Sequence, residues 1–280
     1  MSMSSIQLDA FLAIARTKSF SAAAKLLHVT QSALSQRMLN LESDLETSLF
    51  VRESHGIRLT DVGQSLLQYA QTKEGLEREF LESLRSKDHL NLSGLIRIAS
   101  FSTYVRSMLL PKIVRFSLQH PAVRFDIMTR EMRELPEMLK SGEVDFMIST
   151  DDIQRQDLET FSIGEEKNVL IESKKIAVSH RDIYFDHDEW DETTHRFWQV
   201  QKAKPSSYRR MFLDEIYAII DAVEMGIGRA VVPEHLVRER KTIKIVSDLK
   251  PMVIPVHVSH YRQAYYTKLQ AAFLQLLRSR

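Results

Sequence analysis

Ser32, Ser35, Gln36 and Leu39 recur at i, i+3, i+4 and i+7, so they line one face of a helix. The three polar members are compact and uncharged, and they carry donors and acceptors suited to base edges and phosphate oxygens. On the roughly opposite face, Leu34, Met38, Leu41 and Leu45 form an apolar stripe that wants a protein core. A second group of chemistry-bearing residues falls at the ends of expected strands. Ser100, Phe101, Ser102 and Thr103 open a helix, where free amides and hydroxyls suit a carboxylate or phosphate. Thr129, Arg130 and Ser149 follow neighbouring strands, and Gln199 and Gln201 close a strand predicted over Phe197 to Gln201. Each of these also reads as an ordinary cap or turn residue with no ligand.

Other groupings invite chemistry less strongly. The run from Asp182 to Glu192 gathers carboxylates around His187, with His180 and His195 nearby, and such side chains can bind a divalent cation. Its spacing matches no metal motif, so no metal is expected. The basic residues that follow, Arg196, Lys202, Lys204, Arg209 and Arg210, either balance this loop or, for Arg209 or Arg210, meet an anionic ligand. With no cysteine, no glycine-rich phosphate loop and no nucleophile elbow, neither an enzyme nor a cofactor is expected.

The polar helix face must be positioned by what precedes and follows it. Leu8, Phe11, Leu12 and Ala15 make the stripe of a first helix, and Ser19 can cap a second, whose Ala22, Ala23 and Ala24 permit close approach. Thr30 stands at the N-cap of the polar-faced helix. This is a helix-turn-helix pattern, in which the second helix enters the major groove and its N-terminal residues reach the bases. Thr30, Gln31, Ser32, Ser35, Gln36 and Arg37 are therefore the candidates for base or phosphate contact. Phe50 to Thr60 reads as a two-stranded wing turning near Gly56, with Arg52 and Arg58 placed for the minor groove or phosphates. Charge adds little, since Met1 to Thr60 is only slightly basic, and helix pairs of this kind also serve purely protein contacts.

Downstream, Thr60 can cap a helix from Asp61 to about Ser86, roughly 39 Å long. Val62, Leu66, Tyr69, Leu76, Phe80 and Leu84 approximate a heptad seam broken by Gln71 to Glu74. It suits pairing with a second copy, or else packing on its own chain. From Gly94 the pattern changes to α/β. Strands are expected over Leu95 to Ala99, Val123 to Met128, Val144 to Ser149, Arg229 to Val232 and Met252 to Val258. Helices are expected over Tyr104 to Gln119 and Leu135 to Ser141, after Asp214 as a cap, after Pro233, and at the C-terminus through Leu269, Ala272, Phe273 and Leu276.

Phe11 to Gly63 resembles the N-terminal domain of LysR-type transcriptional regulators. The resemblance rests on Phe20-Ser-Ala-Ala-Ala-Lys-Leu-Leu, Val29-Thr-Gln-Ser-Ala-Leu-Ser-Gln-Arg, Leu41-Glu42, Leu49-Phe-Val-Arg52 and Leu59-Thr-Asp-Val-Gly63. It implies that Gln31, Ser32, Ser35 and Gln36 meet an operator, that Arg52 is the wing arginine, and that the long helix dimerises. Ser32 stands where many members carry proline, and Gln36 where many carry arginine. The C-terminal part is similar to the family's periplasmic-binding-protein-like effector domain, through Leu95-Ile-Arg-Ile, Leu110-Pro111, His120-Pro121, Gly142-Glu-Val-Asp145, Ala222-Val-Glu-Met-Gly226-Ile-Gly228 and Val232-Pro233. That implies a small-molecule effector held between two α/β subdomains.

The expected architecture is thus α/β with a helical N-terminal winged helix-turn-helix over 1–60, a linker helix over 61–90, and a two-subdomain effector domain over 91–280. The subdomains would be about 93–160 plus 252–280, and about 161–251. The 280 residues, 44% hydrophobic and 27% charged with net charge +1, suit two or three folding units with real cores. Asp9, Arg16 and Lys18 interrupt the only candidate leader, and no apolar run approaches the ~20 residues that cross a bilayer. Expected partners are duplex DNA, a small effector for which an anionic group is one option, and further copies of the chain, in the cytoplasm. The competing expectation is a small-molecule-binding protein whose N-terminal helices make protein contacts only.

Overall fold

The computed structural model describes residues 3–53, 56–85, 92–202, 205 and 208–279. Three short helices begin the chain: α1 (Ser5–Thr17), α2 (Phe20–Leu26) and α3 (Gln31–Asp44). Ser4 opens α1 with a reciprocal capping box to Gln7, Ser19 accepts from Ala22 N, and Thr30 accepts from Ala33 N. The stripes expected from periodicity are the buried ones. Phe11, Ile14, Ala23, Leu34 and Leu41 lie fully inside one core. The strands β1 (Phe50–Glu53) and β2 (Gly56–Leu59) pair antiparallel, with Val51 opposite Arg58, and Phe50 packs its ring 5.3 Å from Phe11.

Two motif residues find their reason here. Glu42 Oε1 accepts from Leu49 N at 2.7 Å, tying α3 to the start of the wing. Thr60 donates to Ser48 O and accepts from Gly63 N, capping α4 (Asp61–Arg85) as expected. A side chain at Gly63 would place its Cβ 2.2 Å from Leu49 O, so α4 can approach the wing only at glycine.

The chain divides into two compact units, Met1–Phe161 with His257–Arg280, and Ser162–Val256. In the first, β3 (Gly94–Ser100) lies between parallel β4 (Val123–Thr129) and β5 (Phe146–Ser149). Helical chain runs from α5 (Ser102–Tyr104) through a π-helical turn, Val105–Leu109, into α6 (Leu110–Gln119). It starts two residues before the expected Tyr104. The short helix α7 (Leu135–Lys140) connects β4 to β5. The long strand β6 (Leu158–Ser173) carries the chain into the second unit.

That unit contains β7 (Ile183–Asp186), α8 (Thr193–Gln201), β8 (Arg209–Phe212), α9 (Ile216–Glu224), β9 (Arg229–Pro233) and β10 (Ile243–Ile245). β9 lies between β6, to which it is antiparallel, and β7, to which it is parallel; β8 continues beside β7. The strand β11 (Met252–Tyr261) returns to the first unit, pairs antiparallel with β5, and leads to α10 (Lys268–Arg278), capped by Thr267. Among the described residues no helix is long and apolar enough to cross a membrane.

Several expectations are corrected. Phe197 to Gln201 is not a strand but the end of α8, because Thr194 and Phe197, three apart, are both buried while Gln199 and Val200 face solvent. The cap of α9 is Glu215 rather than Asp214; its carboxylate accepts from Tyr217 N and Ala218 N. Pro233 ends β9 and leads into one 3-10 turn, not a longer helix. The strands β6, β7, β8 and β10 are additional to those expected.

Candidate DNA-reading surface and ligand-facing strand ends

On α3 the two stripes separate cleanly. Leu34, Met38 and Leu41 are buried, whereas Gln31, Ser32 and Gln36 are exposed, Ser35 and Arg37 are half-buried, and Leu39 is 57% exposed. The Thr30 and Ser32 hydroxyls lie 3.1 Å apart, and Gln36 Nε2 donates to Asn40 Oδ1 at 2.9 Å. These contacts orient the side chains yet leave further donors and acceptors facing outward. Arg58 is exposed on β2 of the wing. The Arg52 side chain lies outside the described residues, although its backbone belongs to β1.

The strand-end set gathers because β3, β4 and β5 are parallel, which brings their C-terminal ends to one edge. Ser100 is in register with Thr129 and with Ile148, the neighbour of Ser149. Arg130 N donates to Ser100 O at 3.1 Å, while Thr129 and the Arg130 side chain are exposed. Ser149 Oγ accepts from Asp151 N, so this hydroxyl already serves the turn. Ser100 is fully buried and its Oγ has no hydrogen-bond partner, a costly arrangement unless an occupant supplies one. The helix that follows begins at Ser102, and Phe101 at its N-cap makes no side-chain capping bond. Thr103 is buried beneath this start and Ser102 is exposed.

Gln199 and Gln201 lie at the end of α8, in the second unit. Gln199 bonds the His195 ring at 2.9 Å, and Gln201 exchanges two hydrogen bonds with the backbone of Lys250. Arg209 and Arg210 both have acidic partners within the second unit. Arg209 pairs with Asp182 at 3.0 Å, and Arg210 pairs with buried Asp186 at 2.6 Å while also donating to the carbonyls of Asp188, Glu189 and Asp191. Burial pushes the Asp186 carboxyl up, against the opposing pull of hydrogen bonds from Thr194 and Arg210. The acidic loop is thus folded around its own arginine, and among the described residues no metal-holding cluster is present.

Sequence reasoning missed the junction between α4 and the effector half. Leu66, Leu67 and Ala70 are buried, and the supposed break in the seam is a docking face. Gln71 Nε2 donates to Gly142 O at 3.0 Å, Thr72 Oγ1 to Gln263 Oε1, and Glu79 accepts from Lys268 N. A Cβ on Gly142, which has φ +69°, would lie 2.6 Å from both Leu67 and Gln71. Arg97 holds the same turn from inside, donating to both Asp145 carboxylate oxygens and to Gly142 O. Burial opposes the Arg97 cation, but Asp145 more than offsets it and leaves the guanidinium pKa raised. The only sequence signal was a lone arginine alternating with Ile96 and Ile98 in a strand.

Residues 6–64 match the model of the bacterial regulatory helix-turn-helix protein, lysR family, and residues 90–280 match the LysR substrate binding domain. The chain belongs to the LysR family of transcription regulators. Its relatives include the transcriptional activator IlvY of Salmonella typhimurium, 27% identical over 240 residues, or 81% of each chain. Two solved structures share the fold along almost the whole length. ArgP of Mycobacterium tuberculosis has a TM-score of 0.79 at 22% identity, covering 99% of this chain and 97% of that one. Full-length LysG of Corynebacterium glutamicum with bound effector arginine has a TM-score of 0.76 at 17% identity, with the same coverage. This LysR-family chain therefore joins a DNA-binding domain to a substrate-binding domain.

Proposed function

We propose that this regulator reads its operator with the polar face of α3. Gln31, Ser32, Ser35 and Gln36 contact base edges, Thr30 and Arg37 contact phosphates, and Arg52 and Arg58 engage the flanking backbone or minor groove from the wing. The observation that carries this reading is the exposure of that face, rich in hydrogen-bonding groups, on a helix whose other side is locked into the core. Val62, Tyr69 and Leu76, each seven residues apart and all exposed on α4, support pairing of that helix with a second copy. Two readers would then meet a pseudo-palindromic site on cytoplasmic DNA.

A small effector with an anionic group would bind at the strand ends, accepting from Ser100 Oγ and from the amides opening at Ser102, with Phe101, Thr103, Thr129, Arg130 and Ser149 around it. The orphaned Ser100 hydroxyl supports this placement, and the arginine bound to LysG is a precedent for a small carboxylate effector in that neighbour. Such a ligand controls operator binding only to the extent that its affinity differs between two states of the protein.

The deciding experiment is selection of bound genomic fragments by the full-length chain, followed by gel shift across a salt series with the S35A/Q36A variant. Sequence-selective, salt-weakened binding that the double variant loses while staying folded supports the reading. Unchanged sequence preference in the variant refutes the α3 assignment.

A further inference from the structure

We propose a second ligand site, separate from the strand ends, in the open cavity bounded by α1, the wing and α7. Its occupant would be a small amphipathic carboxylate, an acid with an apolar tail. The cavity holds about 170 Å³, far more than the roughly 10–15 Å³ one water needs. Its floor is apolar, made by Ile14, Phe50, Ile57 and Leu59. Its rim is cationic: Lys18, Arg58 and Lys140 stand against the single carboxylate of Glu137. Among the described residues neither Lys18 nor Lys140 forms an ion pair, and Lys140 is half-buried.

The polar demand inside the cavity is specific. Gln64 lines it, and its Nε2 is buried with no partner. An unmet amide donor in a cavity wall that also carries two lysines calls for an oxygen acceptor carrying negative charge. A bare phosphate would answer the charge but leave the floor wet, and a neutral hydrocarbon would strand Gln64 and both lysines. A carboxylate on an apolar tail answers all three. Because the walls come from the wing and from α7 of the effector half, the occupant would brace one against the other, giving the DNA-reading domain its own ligand-sensitive contact.

The test is isothermal titration calorimetry of sodium octanoate into the full-length protein, with octylammonium chloride and inorganic phosphate as comparison probes. Saturable octanoate binding is expected, weakened roughly tenfold or more, or ~1.4 kcal/mol, in K18E/K140E. Gln64→Leu should weaken it as well. Ser102→Asp, which places a carboxylate at the strand-end helix start, should leave it intact, so failure here and failure of the strand-end reading are distinguishable. Both substitutions in K18E/K140E are at the cavity rim, and an unchanged melting temperature checks that the fold survives. The proposal is overturned if octanoate does not bind, if octylammonium binds equally well, or if phosphate displaces octanoate. Binding lost in Ser102→Asp yet kept in K18E/K140E overturns it too.

Discussion

The α3 surface and the strand-end edge both present hydroxyls and donors, but they are built by opposite means. On α3 the polar groups sit on one helix, mostly exposed, and the same helix buries Leu34, Met38 and Leu41. At the edge, Ser100, Thr129 and Ser149 come from three strands, and Ser100 is buried with its hydroxyl unpaired. A polar face on a core-anchored helix can change without touching the fold, because period 3.6 keeps the two sides independent. A polar group sealed at the strand ends is surrounded by packing, so it can change without cost only where no contact of the fold uses its hydroxyl.

That contrast can be broken or sharpened by substitution. The largest effect belongs to the buried side of α3: Leu34→Ala should cost about 2–5 kcal/mol, read as a lowered denaturation midpoint together with lost operator binding. S35A/Q36A should keep that midpoint while weakening specific operator binding by about 1–3 kcal/mol per base contact removed. If it unfolds the protein instead, the two faces are not independent and the comparison fails.

A smaller, pH-dependent effect tests the interior of the effector half. His260 is buried among Phe146, Phe161 and Tyr266, and burial lowers its pKa below the ordinary 6.5. The unfolded chain therefore binds the proton more readily than the native one, so stability should fall as pH drops below about 6.5. His260→Phe should flatten that slope in melting curves taken between neutral and mildly acidic pH; an unaltered slope would assign it to other groups. Smallest is Ser100→Ala, which removes an unpaired buried hydroxyl. It should leave the melting temperature of the free protein unchanged or slightly higher while abolishing any effector-induced rise. A marked loss of stability without ligand would show that the hydroxyl serves the fold.

Legibility followed the same division. Thr30, Ser19 and Thr60 were readable as caps because a cap bonds to an amide two or three residues ahead. The polar and apolar faces of α3 were readable for the same local reason. By contrast, Phe197 to Gln201 reads as a strand and folds as a helix, since a short apolar-polar alternation fits either period and packing of Thr194 and Phe197 decides. For Arg209 and Arg210 the sequence leaves loop balance and ligand contact both open, because Asp182 and Asp186 lie more than twenty residues earlier and meet them only through the pairing of β7 with β8.

From the linear chain alone came the helix-turn-helix, its capped reading helix and the strand-rich second half, all governed by contacts within a turn or two of the backbone. Tertiary structure alone decided that Gln71 would clasp the Gly142 turn, that Ser100 would be sealed without a partner, and that Lys18, Gln64 and Lys140 would border one cavity. The reason is distance along the chain. Local periodicity announces which side of a helix is greasy, whereas strand register and the docking of one element on another choose which remote side chains meet.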